Sequence, residues 1–152
     1  MLDRLKAWLT EGDQRATEGA EEIRLAVAAL LMEAAHVDGD LDAAERGAVR
    51  RILQQHFALG DAAAGALTQA GERQAEHETQ LFGITRFIRE RFPPARRIEV
   101  IEMLWEVAYA DGVLDPLEDT LLRRVGGLID VSDHARGEAR IRVMRRLGIP
   151  VG

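Results

Sequence analysis

Asp38-Gly39-Asp40-Leu41-Asp42-Ala43-Ala44-Glu45 and Asp111-Gly112-Val113-Leu114-Asp115-Pro116-Leu117-Glu118 share one pattern, D-G-x-L-D-x-x-E, and lie 73 residues apart. The likeness extends beyond the acids. Leu31, Glu33 and Ala35 recur as Leu104, Glu106 and Ala108, and Arg50-Arg51 recurs as Arg123-Arg124. Two copies at so long a period point to a duplicated helical unit, since a solenoid needs three or more stacked repeats. The glycine has the place of a residue just past a helix end. The Asp and Glu three apart have the spacing of a capping box at the next helix start. Each stretch therefore predicts a helix, an acidic corner and a second helix.

Working outward, apolar residues recur at helical spacing and no segment alternates apolar and polar residues as a strand would. Leu2 to Leu9 forms a short amphipathic helix within residues 1–12, which Gly12 and Asp13 are expected to interrupt. It has too few basic residues for a surface membrane anchor and reads as a flap on the bundle. A second helix is expected from Thr17 to His36, a third from Ala43 and a fourth from Asp61. A fifth carries Leu81, Phe82, Ile84, Phe87 and Ile88. Pro93-Pro94 must stop it, because proline cannot continue the ladder and pushes the preceding residue out of the α region; this midpoint reads as a hinge between copies. Ile98 to Val107 and Leu117 to Leu128 then repeat the second and third helices, and Ser132 caps the last. The expected fold is all-α: one domain over residues 1–152, about seven or eight helices, with pseudo-symmetric helix-corner-helix units at about 25–57 and 98–129.

Composition narrows the functional classes. The chain has 152 residues, 47% hydrophobic and 30% charged, with no cysteine and a formal net charge of −6. That is a globular composition without a transmembrane run, a signal peptide or a disulfide framework, so a cytoplasmic location is expected. The negative balance argues against nucleic acid, whose phosphates require a basic face. Oligomeric state leaves no mark on the sequence.

The acids of the corners have two readings. Asp42 and Asp115 can be helix caps, with Pro116 at a first helical position where its missing N–H costs nothing. Asp38 and Asp111 would sit at the negative end of a helix dipole, where a carboxylate is unfavourable by roughly 0.3–1 kcal/mol. Glu45 and Glu118 add charge to the same corners, and Glu33 and Glu106 stand about a turn back. Either a hard divalent cation or arginines such as Arg50, Arg51, Arg123 and Arg124 would relieve the crowding. Asp42 and Asp115 stay candidates for both roles. An EF-hand is excluded, because its loop glycine and final Glu would fall at Ala43 and Val49. Zinc is disfavoured relative to calcium or magnesium, since His36, His56, His77 and His134 lack ligand spacing. His36 recurs as Tyr109, which suggests packing. No nucleophile, base or phosphate loop accompanies the acids, so an enzyme is not expected.

The corner Ala35 to Glu45, repeated at Ala108 to Glu118, fits A-x-x-D-G-x-L-x-x-x-E and resembles the TerB-like tellurite-resistance family, whose fold also occurs at the front of DjlA-type co-chaperones. The resemblance runs from about Leu25 to Arg146. It implies an all-α fold, no established catalytic reaction, and a divalent-metal site marked by Asp38, Glu45, Asp111 and Glu118. It further implies a role in bacterial stress response, as a sensor or adaptor with a protein partner at the membrane. The alternative is a purely structural adaptor whose corners are capped and ion-paired.

Overall fold

A computed structural model describes residues 2–37, 39, 41–76 and 80–151, with side chains from residue 19 onward apart from that of residue 80. Seven helices and no strand occur among the described residues: α1 (Leu2–His36), α2 (Ala43–Phe57), α3 (Asp61–Ala75), α4 (Gln80–Arg91), α5 (Pro94–Ala108), α6 (Pro116–Leu128) and α7 (Asp133–Arg146). The all-α expectation holds. One boundary does not: α1 is continuous where a break at Gly12 and Asp13 and a separate helix over 1–12 were expected. An internal glycine costs about 1 kcal/mol relative to alanine, which weakens a helix without ending it.

Two helices form the centre. Val27 to Met32 of α1 are fully buried on every side, as a helix without a polar face must be. In α5 the buried residues are Val100, Ile101, Met103, Leu104, Trp105, Val107 and Ala108. Their counterparts 73 residues earlier, Val27, Ala28, Leu30, Leu31, Met32, Ala34 and Ala35, are all buried too. Contacts between helices are reciprocal: α1 packs on α3 and α6, and α5 packs on α7 and α2. α1 and α5 also touch each other, and α4 fills a place between α1 and α6.

The packing at the two equivalent helix pairs differs in closeness. At α1–α3 a Cβ on Gly71 would lie 2.7 Å from the Cβ of Ala28 and 2.8 Å from its carbonyl carbon, so only glycine allows this crossing. At α5–α7 larger groups fill the gap. Trp105 donates its indole N–H to Arg136 O at 3.1 Å and stacks on Tyr109, while Arg140 donates to the Tyr109 hydroxyl at 2.6 Å.

Pro93 caps α5 and Pro94 occupies its first turn, so the prolines do end α4. Side-chain hydrogen bonds brace this corner. Arg97 donates to Phe92 O at 3.1 Å and to Ile129 O at 3.0 Å, joining the α4–α5 corner to the end of α6.

Candidate functional site

The two acidic corners are built as the repeat predicts at their helix starts. Asp42 Oδ1 accepts from Glu45 N at 2.7 Å, and Asp115 Oδ1 accepts from Leu117 N at 2.8 Å. Both are true N-caps, satisfying backbone donors that a helix start leaves without partners. Gly39 and Gly112 have φ of +144° and +86°, backbone that a side chain would strain. Asp38 and Asp40 lie outside the described residues.

Asp111 departs from the expectation that it stands against the helix dipole and is offset by a cation or an arginine. The C-cap of α5 is Tyr109, and Asp111 Oδ1 accepts from Val113 N at 3.1 Å. Short Asx turns of this kind stabilise a chain reversal, and the interaction falls too close in sequence for a helix-end argument to reveal it.

Glu45 of the first corner and Asp111 and Glu118 of the second line one cavity of about 60 Å³, closed by Ala35, Ala48, Val107 and Ala110. The Oε2 atom of Glu45 is buried, Glu118 is half-buried and Asp111 is exposed. A water requires roughly 10–15 Å³ of such space, so the cavity has room for an ion with a small hydration shell. Carboxylate oxygens are the donors that calcium and magnesium take. The donor chemistry therefore fits a hard cation. Among the described residues, however, no three Asp, Glu, His or Cys side chains are drawn close enough together to hold a metal ion.

Two of the arginines expected to relieve the corners are engaged elsewhere. Arg123 pairs with Asp119 at 3.6 Å, and Arg124 lies 5.2 Å over the ring of Phe82. Next to Arg50 and Arg51 in sequence, Arg46 forms a two-pronged bond to Glu72, at 2.8 Å and 3.0 Å to one oxygen and 3.1 Å to the other. His36 is exposed, contrary to the packing role that Tyr109 suggested for it, and its Nδ1 lies 3.2 Å from Gly39 O.

A second charged assembly lies on α5, away from the corner where Glu106 was expected. His56 Nε2 stands 2.9 Å from Glu106 and its Nδ1 3.4 Å from Glu99. Arg146 donates to Glu106 and Glu102 at 2.7 Å each. The hydrogen bond to Glu106 raises the His56 imidazole above its ordinary value, against a smaller opposing effect of burial. Nothing in local spacing could reveal these partners, which lie 40 to 50 residues apart.

The described residues define an all-α protein in which carboxylates from the α1–α2 and α5–α6 corners line one small cavity. The sequence model of the family described as tellurite resistance protein TerB matches residues 24–141, and the chain belongs to that family. No significant match to a curated protein or to a solved structure was found. Among the described residues no helix is long and apolar enough to cross a membrane.

Proposed function

We propose that this TerB-family protein is a divalent-cation-binding interaction module of the cytoplasm, acting by binding rather than catalysis. The observation that supports it is the shared cavity of Glu45, Asp111 and Glu118, residues from corners that lie far apart in sequence. Calcium or magnesium is the cation these donors favour. Glu45, Asp111 and Glu118 would have to draw closer together to serve as its ligands, with Asp38 as a further candidate, while Asp42 and Asp115 each commit Oδ1 to a helix start and would contribute only through the other oxygen. Ion binding would tie the α1–α2 corner to the α5–α6 corner and so set the surface offered to a partner. A membrane-associated protein in a stress or tellurite response is the partner class this reading favours.

The specific observation on the other side is that Asp42, Asp115 and Asp111 all have structural work in hydrogen bonds to backbone. That favours a purely structural adaptor as the second reading. Thermal unfolding in chelator and in millimolar Ca²⁺, Mg²⁺, Mn²⁺ or Zn²⁺ separates the two, because an ion that binds only the folded state raises its stability. Calcium or magnesium should raise Tm by several degrees, and Glu45→Gln and Asp111→Asn should each remove the rise. Identical melting in every buffer would leave the structural adaptor standing.

A further inference from the structure

On the side of the molecule where α1, the end of α2 and the α4–α5 corner meet, a groove of about 310 Å³ opens to solvent. Its floor is apolar, with Ile23, Phe57, Val100 and Met103 among the lining residues. Arg24, Arg91 and Arg96, each from a different helix, line it as well, and Glu99 is the acid among them. In a protein of net charge −6 this is a local reversal of sign.

The arginines differ in how far they are engaged. Arg96 pairs with Glu99 at 3.1 Å, and Arg91 reaches Glu22 only at 4.0 Å in an exposed contact. Arg24 has no carboxylate partner among the described residues; its guanidinium lies 5.8 Å above the ring of Phe57. Stacking of that kind uses the face of the guanidinium and leaves its N–H edge for a planar anion, which arginine binds in two-pronged fashion. Glu99, already engaged by both Arg96 and His56, offsets part of the positive charge without cancelling it.

We propose that this groove binds a small amphiphilic carboxylate, a medium-chain aliphatic acid, with its tail on the apolar floor and its head group at Arg24 and Arg96. The charge selects an anion over a cation or a neutral chain. The volume, at the lower end of the roughly 300–1,000 Å³ of small-molecule sites, selects a single short chain over a folded partner. Burial of the tail supplies affinity, and the arginines supply orientation and discrimination. The groove is separate from the acidic corners, so this inference stands or falls independently of the cation reading.

Calorimetric titration of the full chain with decanoate, below its micelle concentration and in chelator, tests the proposal. Saturable one-to-one binding is expected, with decanol at least tenfold weaker. Arg24→Gln should weaken decanoate at least fivefold and leave decanol unchanged; Arg96→Gln should act in the same direction. Amide shifts in labelled protein should cluster around Phe57 and Val100. Absence of saturable binding, equal affinity for decanol, or arginine variants that bind decanoate like the wild type would each overturn it. So would binding of an acidic, apolar peptide in place of decanoate, which would make the groove a peptide site. Melting curves of the variants, expected to match the wild type, ensure that any loss is not unfolding.

Discussion

Glu33 and Glu106 occupy the same place in the repeat, on the two central helices, and meet different surroundings. Glu106 faces His56 and Arg146. The residue 73 positions before Arg146 is Arg73, which makes no ion pair with Glu33 among the described residues, and the counterpart of His56 is the buried Ile129. Burial pushes the Glu33 carboxyl above its ordinary value, with His36 opposing weakly, so one copy has a satisfied acid and the other a partly desolvated one. The repeated apolar positions are buried on both helices. Side-chain chemistry at the same position was settled by whichever residues the other helices brought to it.

The largest expected effect breaks the comparison at the helix crossings. Gly71→Ala forces a Cβ against the Ala28 backbone and should cost about 2–3 kcal/mol in chemical denaturation. Its counterpart Met144 is a buried, flexible side chain, and Met144→Leu should cost under about 1.5 kcal/mol. Equal losses would mean that the two crossings are alike after all.

A smaller effect sharpens the contrast between the two glutamates. Glu106→Gln should cost about 1–2 kcal/mol, since it weakens charged hydrogen bonds from His56 and Arg146. Glu33→Gln should be neutral or stabilising at neutral pH, because it removes a carboxylate that folding desolvates. His56 and Glu33 should respond to pH in the same direction, since both folded pKa values are raised. With its pKa raised in the folded state, His56 contributes stability in full below its ordinary value near 6.5, and this is lost as pH rises through the higher folded value. The deficit of His56→Gln relative to the wild type should therefore be greatest in mild acid and shrink toward alkaline pH. Glu33, also raised, favours folding more as pH falls, so Glu33→Gln should gain least on the wild type in acid. A His56→Gln deficit that grows with pH would contradict the assigned pair.

The smallest effect concerns the caps, where the copies should agree. Asp42→Ala and Asp115→Ala should each cost about 1 kcal/mol with or without divalent ion, while the Asn variants, which can still accept, should cost less. A loss that appears only in the presence of calcium or magnesium would instead make these residues ligands.

Helix identity, the corners and their caps were legible because they are encoded locally. Asp42 and Asp115 bond to backbone only three and two residues away, and the Pro93-Pro94 stop acts on its own neighbours. The continuity of α1 through Gly12 was not legible, because a local helix breaker shifts an equilibrium by only about 1 kcal/mol. Sequence by itself thus determined an all-α chain, its helix stops, and the caps that start α2 and α6. Tertiary structure alone decided that Glu45 shares a cavity with Asp111 and Glu118, and that Glu106 turns away to His56 and Arg146. It alone placed three arginines around an apolar groove. The physical reason is range: capping and helix-stop signals act within a few residues, whereas ion pairs and cavities depend on the packing of helices that are distant in the chain.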